Sequence, residues 1–348
     1  MSVQIPVLYH PSQKDHKPLY EWAFGEKLDH PETTRRIESI LAAIDLSPSD
    51  FSMRKPDPIV SDLIRRVHDE RLSKLYETAE EVLKDGTTFH PSVFPQHQLF
   101  GGRQPDPTQL SNAGAFCFDS GTPLTSLTKM AAEWSAACAQ SASMLLENKE
   151  TPFAYALCRP PGHHASQNFF GGYCYYNNAA IVVARLREKA RVAIVDIDFH
   201  HGNGTQEIFY DDNRVLFISI HGDPAGFYPY FSGFKEETGK GDGKGFTINI
   251  PLPSGVDGKT YLQVLERDVV PAVQRFTPDY LVLSAGFDTY KEDPIGKFTL
   301  ETNDYAEISA RFAHLGLPTL IVQEGGYSSH LGQNVVTFLK GFRDNYKR

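Results

Sequence analysis

Short, nearly continuous apolar runs punctuate the second half of the chain, at Phe153–Leu157, Val192–Val195, Val215–Ile220, Phe246–Ile250, Tyr280–Leu283 and Thr319–Val322. None alternates strictly between apolar and polar residues, so these are strands buried on both faces. Several are separated by stretches with helical patterning, Asn178–Lys189, Tyr261–Phe276 and Asp304–Leu315. Strands alternating with helices in this way predict an α/β fold, with a mostly parallel sheet covered on both faces.

The first half is less regular. Val3 to Tyr9 reads as a first strand, and a polar, aromatic segment runs from His10 to Asp29. Pro31, with Ile37, Ile40, Leu41 and Ile44 at helical spacing, predicts a helix over Glu32–Ile44. Leu63–Leu83 is helix-rich around Val67-His68-Asp69, and Met130, Trp134, Ala137, Cys138, Ser141 and Leu145 trace one helix face ending near Asn148. Residues 86–125 differ, with Pro91, Pro95, Pro105, Pro107, Pro123, the Gly101-Gly102 pair and no sustained period. Their aromatics (Phe89, Phe94, Phe100, Phe116, Phe118) argue against disorder, so the segment reads as a folded insertion in one domain spanning 1–348.

Composition narrows the class without naming it. At 348 residues, 41% apolar and 22% charged, the chain has the make-up of a globular protein with a large core. A formal charge of −9 argues against a nucleic-acid partner and favours cationic ligands through steering. Cys117, Cys138, Cys158 and Cys174 form no C-x-x-C pair, which fits reduced thiols. The segment Met1-Ser2-Val3-Gln4-Ile5-Pro6 lacks a basic and then apolar leader, and no run reaches membrane-spanning length. A cytoplasmic protein without a membrane partner is expected.

In open α/β sheets the ligand site lies beyond the carboxyl ends of the strands, and polar residues collect there. After Leu157 comes Arg159-Pro160-Pro161-Gly162-His163-His164, and after Val195 comes Asp196-Ile197-Asp198-Phe199-His200-His201-Gly202-Asn203-Gly204. Later runs lead into Ser219-Ile220-His221, Gly286-Phe287-Asp288 and Gln323-Glu324-Gly325-Gly326-Tyr327. On an extended backbone Asp196, Asp198 and His200 share one side. Asp198, His200 and Asp288 are suitable ligands for Zn²⁺ that leave a position open for water, while the absence of a Cys ligand keeps Fe²⁺, Co²⁺ or Mn²⁺ in play. His163 and His164, after a Pro-Pro-Gly turn, are candidates for general base and general acid. Tyr327, behind two glycines, can donate to a developing oxyanion. Together these residues point to metal-assisted hydrolysis of an amide.

These blocks, with His30-Pro31-Glu32 and Val67-His68-Asp69, resemble the signature blocks of the zinc-dependent histone deacetylase superfamily, over nearly the whole chain. Phe199 through Gln206, His221-Gly222-Asp223-Pro224 and Glu236-Glu237-Thr238-Gly239-Lys240-Gly241 look most like the bacterial acetylpolyamine amidohydrolases within it. The resemblance implies the arginase–deacetylase fold, with a sheet of about eight strands. It implies one zinc at Asp198, His200 and Asp288, a tandem-histidine acid/base pair, and the Tyr327 hydroxyl on the substrate carbonyl. It also implies a structural potassium near Asp196 and Ser219, and a substrate tunnel walled by Tyr173 and Tyr228 with Asp119 on the substrate amide. Asn203, where many relatives have Asp, is the implied partner of His164 and leaves it less basic; His163 keeps Asp196. Tyr290 stands where arginases place a further metal-binding aspartate, which argues against a second manganese.

Other signals are discounted. Gly239-x-Gly241-x-Gly243 precedes a strand instead of opening a helix, so it is no dinucleotide site. Lys235–Lys244 mixes charges and reads as a solvated loop, and His90 and His97 as bystanders. The reading is an enzyme that hydrolyses an N-acetylated polyamine, such as acetylputrescine, acetylcadaverine or acetylspermidine, to the free amine and acetate. Deacetylation of protein lysines or of another small amide is the alternative among enzymes, and a catalytically silent binding protein the alternative outside them. The 86–125 insertion is expected to pair two subunits over a narrow mouth, with Asp119, Glu21 and Glu26 as carboxylates for the distal ammonium groups.

Overall fold

The structure is a computed structural model and describes residues 4–95 and 104–347. Ten strands occur among these residues: β1 Ile5–Leu8, β2 Tyr20–Ala23, β3 Glu26–Asp29, β4 Phe51–Arg54, β5 Phe153–Ala156, β6 Val192–Asp196, β7 Val215–Gly222, β8 Thr247–Leu252, β9 Tyr280–Ala285 and β10 Thr319–Gln323. Eight form one sheet in the order β4-β1-β5-β10-β9-β6-β7-β8, with every neighbouring pair parallel. The chain thus has the expected α/β architecture. β2 and β3 form a separate antiparallel hairpin.

The helices are α1 Thr34–Asp45, α2 Ser61–Arg65, α3 Glu70–Val82, α4 Thr128–Glu147, α5 Asn178–Leu186, α6 Asn203–Phe209, α7 Gly258–Val264, α8 Val270–Phe276, α9 Thr302–Ala313 and α10 Leu331–Asn345. They cover both sheet faces, and the strands show why the runs had to be continuous. In β6, Ala193 and Val195 pack with α1, α9 and α10, while Val192 and Ile194 pack with α3, α4 and α5. A strand covered in this way on both faces needs apolar residues at successive positions.

Several elements differ from expectation. Leu63–Leu83 is two helices, broken where His68 turns inward to contact the Ser166 carbonyl through Nδ1 at 2.8 Å and to accept the Asn177 N–H through Nε2 at 2.9 Å. The helical stretch through Tyr261 begins at Gly258 and contains a π-turn at Leu265–Val269. Pro271 follows closely and has no N–H to continue the regular ladder. Strand β6 stops at Asp196, so Asp198 and His200 owe their aim to bends, not to strand pleating. The Lys235–Lys244 loop is largely exposed, as expected of a solvated loop, with Glu237 Oε2 accepting from Gln206 Nε2 at 2.6 Å and from the Gly233 N–H at 2.9 Å. Within 86–125, Ala113, Phe116, Cys117 and Leu124 are buried in the core beside α3 and α4; residues 96–103, including His97, lie outside the described residues.

Candidate active site

At the carboxyl edge of the sheet, three side chains from the ends of β6 and β9 converge. One ligand atom each from Asp198, His200 and Asp288 lies within 4.8 Å of the others, and all three residues are buried. His200 Nδ1 is 2.9 Å from Asp288 Oδ2 and 3.3 Å from Asp198 Oδ1. Backbone donors aim the carboxylates: Gly325 N–H donates to Asp198 Oδ2 at 2.8 Å, His200 N–H to Asp198 Oδ1 at 2.9 Å, and Phe199 N–H to Asp288 Oδ1 at 2.8 Å. Burial, then the neighbouring Asp198, pushes the Asp288 carboxyl up to about 7. Two carboxylates and an imidazole held this way out of water fit a dication, which would supply the missing positive charge.

The two histidines that follow β5 have different partners. His163 Nδ1 is 2.9 Å from Asp196 Oδ2, while His164 Nδ1 is 2.7 Å from Asn203 Oδ1, and the rings are 4.0 Å apart. Burial alone would discharge His163, but Asp196 and Asp198 outweigh it and raise its pKa to about 10. His164 is driven well below the ordinary histidine range by burial and by the nearby His163 and His200. The two imidazoles thus sit in different surroundings, His163 against the Asp196 carboxylate and His164 against the neutral Asn203 amide, which suits them to different parts in proton transfer.

Tyr327 follows the β10 edge and is placed by its backbone. Asp293 Oδ2 accepts from the N–H groups of Tyr327 at 2.7 Å and Ser328 at 3.1 Å. Arg36 lies over the Tyr327 ring at 4.8 Å, donates from Nε to the Gly326 carbonyl at 2.7 Å, and pairs through Nη1 with Glu32 at 2.9 Å. Glu32 also takes Arg159 Nε at 2.8 Å. The expectations contain no role for this buried ion network. One signal existed: Arg36 falls on the same helix stripe as Ile40 and Ile44, an odd place for a charge.

His163, His164, Asp198, His200 and Tyr327 all line one cleft of about 1020 Å³, together with Asp119, Tyr173, Tyr228 and Glu21. Asp196, Asn203, Asp288 and Ser219 do not line it; they stand behind it. Tyr173 and Gly172 have φ of 65° and 56°, and a Cβ on Gly172 would meet His164 Cδ2 at 2.2 Å, so only glycine fits this close approach. Asp119 Oδ2 holds the two walls, accepting from Gly172 N–H at 2.6 Å and from the Tyr228 hydroxyl at 2.7 Å. At the mouth Tyr173 donates its hydroxyl to Glu21 Oε2 at 2.9 Å. Glu26 is exposed on β3 and does not line the cleft. His90 stacks on Tyr20 at 4.4 Å, away from the metal ligands.

A parallel α/β sheet carrying a candidate metal site of two carboxylates and a histidine, with a histidine pair and a tyrosine beside it, has the make-up of a hydrolase. The chain belongs to the histone deacetylase domain family, which matches residues 30–341. It is 42% identical over 314 residues to acetylpolyamine amidohydrolase 2 of Pseudomonas aeruginosa, covering 88% of each chain. It is 38% identical to the acetylpolyamine amidohydrolase of Burkholderia pseudomallei, over 96% of this chain and 97% of that one. A crystal structure of the acetylpolyamine aminohydrolase from Burkholderia pseudomallei superposes with a TM-score of 0.91 at 36% identity, covering 99% of this chain and all of the other.

Proposed function

We propose that the chain is a zinc-dependent amidohydrolase that removes the acetyl group from N-acetylated polyamines, acting in the cytoplasm as a homodimer. The observation that carries this reading is one cleft lined by Asp198 and His200 of the candidate metal site, by His163, His164 and Tyr327, and by the Glu21 carboxylate. Asp198, His200 and Asp288 hold the zinc, which when bound supplies Lewis acidity and a lowered water pKa. His163, backed by Asp196, takes the proton of the attacking water. His164, capped by neutral Asn203, faces the leaving nitrogen. Tyr327 donates its hydroxyl to the oxygen that gains charge at the carbonyl. Tyr173 and Tyr228 flank the extended acyl-amine.

Glu21 and Asp119 supply the negative rim that a polyamine's distal ammonium groups need. Asp196, the last residue of β6, stands in register with Ser219 in the middle of β7, which supports a potassium held there largely by backbone carbonyls. Trp22, Phe24, Phe94, Tyr230 and Phe231 are exposed and line the cleft, and this apolar rim supports pairing with a second subunit. All four cysteines are free and buried, as suits a reducing compartment. Among the described residues no helix is long and apolar enough to cross a membrane.

Acetate release from acetylspermidine by the zinc-loaded enzyme tests the reading. It should cease on chelation and return with added zinc; an activity indifferent to chelation would refute the metal's role.

A further inference from the structure

The reaction as derived leaves one buried carboxylate at the site without a part. Glu324 directly follows β10 and is wholly shielded from solvent. Its Oε2 accepts two hydrogen bonds, from the N–H groups of Gly162 at 2.7 Å and His163 at 3.1 Å. Its Oε1 has no partner among the described residues. Its backbone is anchored as well: the N–H donates to the Ala285 carbonyl at 3.0 Å, and its own carbonyl accepts from Gln323 Nε2 at 3.1 Å and from Arg36 Nη2. Glu324 thus joins the ends of β5, β9 and β10, the three strands whose loops carry His163, Asp288 and Tyr327.

The carbonyls of the turn it grips are held from elsewhere, Pro160 accepting from Ser135 Oγ at 2.7 Å and His163 from the Gly204 and Thr205 N–H groups at 3.1 Å, while Glu324 takes its N–H groups. Pro160 and Pro161 have no N–H, so the first backbone donors before the histidine pair are those of Gly162 and His163. Cys174 lies beside His163 and Glu324 with its ligand atom within 4.8 Å of theirs. Burial, then Glu324, raises that thiol well above its ordinary range.

We infer that Glu324 is a positioning residue for His163, its Oε2 fixing the Gly162–His163 backbone so that the imidazole is held in working alignment with the site. The inference rests on the reading of His163 as proton acceptor. Both N–H groups reach the same oxygen, so the task needs an acceptor and not a charge. Burial raises the Glu324 carboxyl to about 7 despite the opposing His163, and a proton on the free Oε1 would leave Oε2 accepting as before.

The test compares Glu324→Ala, Glu324→Gln and Glu324→Asp in the full-length, zinc-loaded protein. The glutamine carbonyl can accept both N–H groups; alanine removes the acceptor, and aspartate withdraws it by one methylene. Glu324→Ala should keep its zinc and its KM while kcat falls about 10²-fold, the size of effect that small misalignments produce. Glu324→Gln should stay close to the parent, and Glu324→Asp should fall with alanine, carrying the test should the alanine variant not fold. Amide hydrogen exchange at Gly162 and His163 should quicken in the alanine or aspartate variant and not in the glutamine one. Exchange is read without substrate, so an error in the proposed substrate leaves this arm intact. Parent-like kcat and exchange in both Glu324→Ala and Glu324→Asp, or a glutamine variant as slow as they are, would overturn the inference.

Discussion

Close approach at single residues decides whether the metal ligands can meet. A Cβ on Gly286 would lie 2.0 Å from Asp198 Oδ2, so Gly286→Ala should displace that carboxylate and lower zinc occupancy; metal analysis of the folded variant reads this directly. Asp288→Ala should lose zinc and activity together, and a full zinc complement would show the ligand set to be wrong. Tyr327→Phe should keep fold and metal while reducing kcat on the order of 10²–10³, the loss for one oxyanion donor. Unchanged kcat would remove the tyrosine from that role. Glu21 offers a different trade. Burial raises its carboxyl, helped by Asp119 and opposed by Tyr173, so the fold disfavours its charge. That penalty is complete above the raised pKa and vanishes below the ordinary glutamate range. Glu21→Gln should therefore be more stable than the parent at neutral pH, with the difference gone in acid, while its KM for acetylpolyamines rises. Thermal melts across pH and steady-state kinetics check the two halves separately.

At the scale of elements, the sheet was legible because a parallel strand buried on both faces needs an unbroken apolar run, and β5, β6, β7, β9 and β10 each have one. The ligand, histidine and tyrosine blocks were legible for the same reason, since they follow those runs at the edge where α/β sites form. The β2–β3 hairpin was not legible. Its strands are short and mostly exposed, and its turn is Phe24-Gly25, with φ of 53° and 82°, instead of an asparagine–glycine pair. Strand β4 sits at the sheet edge with Met53 and Arg54 exposed, so its pattern is weak. The expectations contain no element beyond Tyr327, although Leu331, Val335, Phe338, Leu339 and Phe342 form a helical stripe along α10. The role of Glu324 was invisible because its partners lie some 160 residues away in sequence. Phe338 is fully buried against Phe287, with ring centroids 5.7 Å apart. Phe338→Ala should destabilise the protein by about 3–5 kcal/mol, the range for a buried phenylalanine, as read by denaturant unfolding. A loss below about 1 kcal/mol would mean that α10 is not part of the cooperative core.

For the whole molecule, the rim of the cleft links assembly to specificity. Phe24 is 91% exposed at the tip of the hairpin, close to Trp22 in the chain, and both line the cleft. Leaving such a ring in water is unfavourable unless another surface covers it. Phe24→Asp should weaken the proposed dimer in sedimentation and narrow the preference for slender substrates over peptides; a monomeric parent would end that part of the account. The site's deacetylase chemistry is thereby proposed to be matched to a small, cationic acetylated amine. The decisive comparison is kcat/KM of the zinc-loaded enzyme for acetylputrescine, acetylspermidine and an acetyl-lysine peptide, taken side by side. Both acetylated polyamines should be turned over far faster than the peptide, and a peptide processed equally well or better would be incompatible with a site matched to small cationic amines.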